Sequence, residues 1–379
     1  MTSLSLKNSP PTLKSPPRVA IVGARGYSGL ELTRLCWQHP AMDLAFVSAQ
    51  SSFRLSDYLN DQAAKPLPPV INAPDFSQAQ LDVVFLATPH ETSWELTPTL
   101  VEQGIQVIDL SGGFRLKDSF TQSNRQAYAQ WYGQEPSPLT MEMANSAHYG
   151  LVPFNQSSIS MVSANSQPRV IANPGCYATS ILMALIPLLR EGLIDPHYIV
   201  IDAKSGTTGA GRKSQEGLLF SEVAEECVPY KIGVHQHQPE IVQALNQFAQ
   251  SANGVDLTMN THLLNVRRGI ISSLYLRPSA ASSDSEILQS LHQAYTKHFH
   301  HYPLVRWGSV DSHPRLLRLK SVVGTPFTHI SFQVVKGKIF LFSLLDNLLK
   351  GAASQALENF NRLYDLPVNL GLDHLEALS

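Results

Sequence analysis

The sequence predicts an α/β protein in two parts, a mostly parallel sheet covered on both faces and then a second unit of α+β character. Three observations predict it. Through residue 110, short apolar runs alternate with amphipathic segments, as parallel strands alternate with their crossover helices. A glycine-spaced turn joins the first strand to the first helix. After residue 176 the strand-like runs lengthen, and the last two are joined by Lys336-Gly337, a hairpin signal.

In chain order, residues 18–23, 44–48, 83–87 and 106–110 read as strands of the first part, with helices over 27–37 and 93–102. In the second part, 198–202, 257–264, 270–276, 330–335 and 338–345 read as strands, and 240–250 and 286–298 as helices. The apolar stripe from Leu344 to Phe360 has helical spacing and needs a partner surface, with Gly351, Ala352 and Ala353 permitting close packing.

The 379 residues suffice for two ordinary cores. A formal charge of −2, from 28 basic and 30 acidic side chains, gives no electrostatic case for nucleic acid or an anionic membrane as partner. Three cysteines, Cys36, Cys176 and Cys227, make no disulfide framework and suit a reducing, cytoplasmic compartment. Residues 1–17 carry four prolines and several serines and read as a disordered tail, with organelle targeting left open.

Gly23, Gly26 and Gly29, with Arg25, Tyr27 and Ser28 between them, form the turn after the first strand. Glycines there permit close approach of a pyrophosphate to a helix N-terminus, so the first part reads as a Rossmann-like dinucleotide-binding domain. The second strand ends at Ser48 without the acidic residue that would hold an unmodified ribose. Arg25, Ser48 and Arg54 instead suit a 2′-phosphate, which favours NADP over NAD. Thr88-Pro89-His90 follows the third strand at the cofactor edge; His90 reads equally as a solvent-facing loop histidine.

Asn173-Pro174-Gly175-Cys176 puts a thiol at a tight turn before a buried helix. The helix dipole and free N–H groups there lower a thiol pKa and make a nucleophile; the plainer reading is a small buried hydrophobe. His235 and His237 fall on one side of an extended segment and can serve Cys176 as general base, or form a surface pair or half of a metal site, although no ligand spacing supports a metal. The run 204–212 reads as an anion-cradling loop containing Ser205, Gly206 and Arg212, or as a flexible surface loop. Arg115 and the Arg267-Arg268 pair are further anion contacts, or else hold the two domains together. A thiolate, a base, an anion site and a dinucleotide site together suit reduction of an acyl phosphate through a thioester.

The motifs Gly-Ala-Arg-Gly-Tyr-Ser-Gly (23–29), Asp-Leu-Ser-Gly-Gly-Phe-Arg (109–115), Asn-Pro-Gly-Cys-Tyr-Ala-Thr (173–179), Ser-Gly-Thr-Thr-Gly-Ala-Gly-Arg (205–212), His-Gln-His-Gln-Pro-Glu (235–240) and Asp-Asn-Leu-Leu-Lys-Gly-Ala-Ala (346–353) occur in this order. In them the chain resembles the N-acetyl-gamma-glutamyl-phosphate reductases of the semialdehyde dehydrogenase superfamily. The resemblance implies Cys176 as nucleophile and one of the two histidines as base, His237 favoured and His235 open. It implies an acyl-phosphate substrate, N-acetyl-L-glutamyl 5-phosphate, reduced by NADPH in arginine biosynthesis, with Arg115, Asn173, Arg212 and Arg267 as substrate contacts.

It further implies a discontinuous NADP-binding domain (18–172 plus 346–379), a catalytic and dimerisation domain (173–345), and a homo-oligomer, dimer or tetramer. Two departures stand out: Val152-Pro153-Phe154 lacks the family's usual glutamate, and Pro326 stands where an asparagine is common. They leave room for another acyl group, such as an aspartyl or a carrier-bound aminoadipyl phosphate. A noncatalytic NADP-binding regulator is the distant alternative.

Overall fold

The computed structural model describes residues 15–59, 65–118, 123–154, 169–249 and 254–375; the tail expected over 1–17 falls almost wholly outside them. The first unit contains β1 (Arg18–Val22), α1 (Tyr27–Gln38), β2 (Asp43–Ser48), β3 (Val70–Ile71), β4 (Val83–Leu86), α2 (His90–Glu102) and β5 (Gln106–Asp109). It continues through α3 (Asn124–Tyr132), α4 (Pro138–Ser146), β6 (His148–Tyr149) and β7 (Val170–Ala172). The strands form one sheet in the order β3-β2-β1-β4-β5-β7-β6, with every pairing parallel. Every residue of β4 and β5 is buried, as in a sheet covered on both faces. The strand order reverses direction at β1, which opens a crevice at the carboxyl ends of β1 and β4.

The second unit follows with α5 (Cys176–Arg190), β8 (Ile194–Gly206), α6 (Phe220–Val223), β9 (Cys227–Tyr230), α7 (His237–Ala249), β10 (Leu257–Leu264) and β11 (Ile270–Pro278). Then come α8 (Asp284–Phe299), β12 (Val305–Ser309), β13 (Thr328–Val335) and β14 (Lys338–Leu345). Their sheet runs β12-β13-β14-β11-β8-β10-β9 and is mixed. β10 lies parallel to β8 and β12 to β13, while the other pairings are antiparallel.

Between its end residues α5 is buried throughout, so it is a core helix rather than a surface one. It packs on β11 and β14 and against α7 and α8. The last helix, α9 (Ser354–Leu363), returns to the first unit and packs on α1 and β5.

Several elements differ from the expectation. Leu344 and Leu345 belong to β14, and the helix expected from 344 begins instead with a π turn, Leu349–Ala353. The cause is Asp346, whose carboxylate accepts the N–H groups of Leu348 and Leu349 and separates strand from helix. β8 is extended to Gly206 by pairing with β10, so Lys204, Ser205 and Gly206 end a strand rather than open a loop. α2 begins at His90, which is therefore a helix residue, and α7 begins at His237. The short polar α3 and the brief β7 carry too little apolar periodicity to be read from sequence.

Candidate active site

A cleft of about 700 Å³ lies between the two units and is lined by both. The first unit contributes its glycine turn, where the chain leaves β1 for α1. Gly23 has φ +90°, and a Cβ there would sit 2.3 Å from the Ala87 carbonyl oxygen. A Cβ on Gly29 would meet the Gly23 carbonyl oxygen at 2.2 Å. A side chain at Gly23 would push β1 from the end of β4, and one at Gly29 would push α1 from the end of β1; either would close the cradle. The Gly23 and Ala24 N–H groups donate to the Ser48 carbonyl, at 2.9 and 3.0 Å, so Ser48 fixes the turn from a buried position. Arg25 is exposed and donates to the Ser51 hydroxyl at 2.9 Å. Neither lines the cleft, but together they offer a cation and a hydroxyl beside the end of β2; Ser51 follows the strand by three positions and carries no signal of its own in the sequence.

Gly26, Tyr27, Ser28, Gly29, Pro89 and His90 line the cleft on this side, and Ser205, Gly206 and Arg212 face it from the other. Arg212 spans the opening, donating to the Arg25 carbonyl (2.9 Å) and the Tyr58 hydroxyl (2.8 Å). Arg267 is exposed and lies outside the lining; its carbonyl accepts the Thr208 hydroxyl at 2.7 Å. Its neighbour Arg268 joins Glu31 of α1 (2.6 Å) to Asp346 (3.0 Å), so this arginine ties the units together.

Cys176 stands at the first position of α5, partly open to the cleft. A Cβ on Gly175 would lie 2.4 Å from His237 Nε2, which sets the imidazole directly beside the turn that presents the thiol. His237 is buried, and its Nε2 is 3.5 Å from a guanidinium nitrogen of Arg115. As acceptor from Arg115, Nε2 is free of a proton, which then resides on Nδ1. His235 sits behind, its Nδ1 accepting the His237 N–H at 3.1 Å and so capping α7; the two rings are 4.8 Å apart. The pair faces one side because of this helix start, not because the segment is extended.

Glu240 is the hub that sequence reading missed as a site residue. Fully buried, it accepts the Tyr149 hydroxyl at 2.8 Å and the Gly175 N–H at 2.9 Å on Oε1, and Arg115 at 3.4 Å on Oε2. Its signal was present in His-Gln-His-Gln-Pro-Glu, where it reads as an ordinary acidic residue in a first helical turn. Arg115 also donates to the carbonyls of Asn173 (2.9 Å) and Leu110 (2.8 Å). Asn173 is buried and does not line the cleft. Its amide donates to the Ala352 carbonyl (3.2 Å) and accepts from Asn359 (3.0 Å), holding the turn to the last helix. Lys231 and Tyr230 complete the wall near the histidines.

Electrostatics here run against one expectation. Burial pushes the Cys176 thiol up to about 11, outweighing the Arg115 charge and the N–H groups of Tyr177 and Cys176 that favour the thiolate. The helix terminus lowers less than burial raises, so the resting group is a neutral thiol. Burial also holds His235 down to about 4, and holds His237 well below the usual histidine range, with His235, Arg115 and Lys231 adding to the latter. Both imidazoles are neutral near pH 7 and able to accept a proton. Burial opposes the charge of Arg115, but Glu240 leads a set of neighbours that more than offsets it and keeps the guanidinium charged.

Residues 18–162 match the family model described as semialdehyde dehydrogenase, NAD binding domain, and residues 176–347 the one described as semialdehyde dehydrogenase, dimerisation domain. The chain is 37% identical over 364 residues to the N-acetyl-gamma-glutamyl-phosphate reductase of Geobacillus stearothermophilus, across 95% of this chain and 97% of that one. With the enzyme of that name from Halalkalibacterium halodurans it shares 38% over 363 residues, 94% and 98% of the two chains. The chain belongs to the N-acetyl-gamma-glutamyl-phosphate reductase family.

Among solved structures, aspartate semialdehyde dehydrogenase II of Vibrio cholerae shares its fold, with a TM-score of 0.67 at 17% identity over 92% of this chain and 98% of that one. The Candida albicans enzyme solved with NADP gives 0.60 at 15%, over 92% and 98%. Neither departure from the family's pattern reaches the cleft. Phe154 stacks edge-on against Phe299, Val152 and Pro326 are buried, and none of them lines it.

Proposed function

We propose that this chain reduces N-acetyl-L-glutamyl 5-phosphate to N-acetyl-L-glutamate 5-semialdehyde and phosphate, with NADPH as reductant, in the cytoplasmic synthesis of arginine. One observation carries the reading: a single cleft is lined by the dinucleotide turn, by Cys176 and by His237, which lies against Gly175 of the thiol-bearing turn. The glycine cradle and the Arg25–Ser51 corner fit NADP(H), because a Cβ would fill the first and the second offers a cation and a hydroxyl donor. Bound there, the cofactor supplies the hydride.

In the proposed mechanism the rest falls to side chains. His237 takes the Cys176 proton as sulfur attacks the acyl carbon; the carbon–oxygen bond to phosphate breaks and phosphate leaves, giving a thioester on Cys176. Arg115 and Arg212 supply positive charge for the anionic substrate and leaving group. The N–H groups of Cys176 and Tyr177 face the thiol and are the donors available to a tetrahedral oxygen. After reduction His237 returns its proton to sulfur as the aldehyde departs.

The test is phosphate-dependent NADP reduction with N-acetylglutamate semialdehyde and with aspartate semialdehyde in parallel. Turnover with the first and not the second is expected; the reverse would overturn the substrate assignment. Cys176→Ala is expected to lose roughly a thousandfold or more in kcat, as removal of a covalent nucleophile does. Undiminished turnover would sink the thioester.

We further propose a discontinuous cofactor domain (18–172 plus 346–379), supported within the described residues by the packing of α9 on α1 and β5. The chain forms a homo-oligomer through the mixed sheet, whose outer face carries Tyr275, 39% exposed, against the half-buried Phe340. Light scattering giving a monomer mass would rule out the assembly.

A further inference from the structure

Lys350 lies in a motif that the proposed chemistry leaves unused. It sits in the π turn between β14 and α9, where the Gly351 N–H donates to the Asp346 carbonyl (2.9 Å) and the Ala353 N–H to the Leu348 carbonyl (3.0 Å). Its side chain is wholly buried, and its ammonium donates to both oxygens of the equally buried Glu358, at 2.8 and 2.9 Å. It also donates to the Tyr302 hydroxyl, which in turn donates to Glu358. A buried ion pair costs desolvation on both sides and is a poor way to gain stability, and a π turn is rare and frequently marks a functional site. Here the two coincide.

The turn's other face explains what the pair holds. A Cβ on Gly351 would lie 2.7 Å from Cys176 Cβ and 3.2 Å from its Cα, so the turn's backbone rests directly against the nucleophile. One residue on, the Ala352 carbonyl takes the Asn173 amide from the same thiol-bearing turn. Lys350, Glu358 and Tyr302 lie outside the cleft lining, so they act on the site only through this backbone. They also come from three separate places: the turn itself, α9 on the first unit, and the segment after α8 in the second.

We propose that Lys350, Glu358 and Tyr302 form a clamp that positions the Cys176 thiol, by holding the π turn in register against it. The clamp rests on the reading of Cys176 as nucleophile. These three are positioning residues; none touches the reacting atoms. A turn free to relax toward an ordinary α-helical register would move Gly351, and the thiol resting on it would lose its fixed place beside His237.

The test replaces the whole cluster with apolar groups, Lys350→Met with Glu358→Leu and Tyr302→Phe, so that no buried charge or hydroxyl is left unpaired. Two readouts are taken. Peptide-resolved alkylation by iodoacetamide compares Cys176 with the exposed Cys227 as internal reference. Steady-state kinetics separate kcat from KM. The clamp predicts a changed Cys176 rate at an unchanged Cys227 rate. It also predicts a kcat lower by roughly tenfold or more with KM for NADP little altered, the signature of a misplaced reacting group.

A folded triple variant with wild-type kcat and a wild-type Cys176 alkylation rate would overturn it. Gly351→Ala tests the same contact with the ion pair intact. It should give the same signature, and a wild-type kcat and alkylation rate in that variant would equally overturn the clamp, including where the triple variant fails to fold. Absence of turnover in the wild type would count against the proposed activity, while alkylation still decides the clamp.

Discussion

The two walls of the cleft are built in opposite ways. The cofactor wall is made by leaving side chains out: Gly23 and Gly29 let backbone pass within a Cβ's width of backbone, and Arg25 at its edge stays in solvent. The catalytic wall is made by packing charge in, with Arg115 and Glu240 buried together and joined to Tyr149, Gly175 and His237. The first binds a ligand through shape and main-chain donors. The second holds a neutral thiol, a neutral base and a fixed cation in one water-poor corner. The walls should therefore fail differently under mutation, the catalytic wall by large steps and the cofactor wall by small ones.

The largest step is expected at Glu240. Glu240→Gln keeps the shape but removes the charge facing Arg115, and its amide cannot accept from both Tyr149 and Gly175 while also answering the guanidinium. Breaking a buried pair from one side costs about 3–5 kcal/mol, partly as stability and partly as misplacement of the Gly175 turn. We expect kcat/KM for the semialdehyde to fall by a hundredfold or so. Steady-state kinetics beside a thermal melt check this. An effect of twofold or less would mean that the network is not needed for catalysis.

The thiol itself gives the next test. With its pKa raised to about 11, the thiolate fraction of Cys176 in the ligand-free enzyme should increase about tenfold per pH unit across the neutral and mildly alkaline range. Alkylation of Cys176 should then climb steadily between pH 7 and 9 without levelling. A plateau beginning below pH 8 would show that the helix terminus outweighs burial after all. His237, held neutral by burial, predicts that activity in the oxidative direction persists below the usual histidine range before its acid limb appears.

How much of this was legible in the sequence follows the same division. The glycine turn could be read because its cause is local: three glycines at fixed spacing, directly after an apolar strand. Cys176 could be named because the chain has only three thiols and this one sits at a turn signal, and His235 and His237 because they stand two apart just before a helix start. Glu240 could not, since nothing in a first-turn glutamate announces that Tyr149, 91 positions earlier, will share it. Asn173 is expected on the substrate, whereas in the fold Ala352 and Asn359 take up its amide. The direction of the thiol's shift departs from the expectation for a related reason. The dipole is written in the helix start, but the burial that outweighs it comes from the fold.

On the cofactor wall, Gly23→Ala should cost less than Glu240→Gln and show a different profile. The new methyl meets the Ala87 carbonyl at 2.3 Å and must adopt φ near +90°, so β1 and β4 have to separate at the cradle. We expect KM for NADP to rise about tenfold with kcat changed by less, because the loss is in binding shared by ground and transition states. If kcat fell while KM held, the glycine turn would be positioning the reaction rather than the cofactor, and the contrast between the walls would blur.

Arg25 should give the smallest effect and the most specific one. It is exposed, its partner is the neutral Ser51, and solvent screens its charge, so Arg25→Ala removes little from the fold. What it removes is the cation nearest the corner where a 2′-phosphate would lie. Charge-assisted contacts of this exposed kind contribute roughly a kcal/mol, which corresponds to about fivefold in affinity. KM for NADP should rise by about that factor, while KM for NAD, which has no 2′-phosphate to lose, stays where it was. The effect on NADP should also shrink as salt is added, since screening already weakens the wild-type contact. Equal losses for the two cofactors would assign Arg25 to the shape of the turn, and the cofactor wall would then read the dinucleotide through its backbone alone.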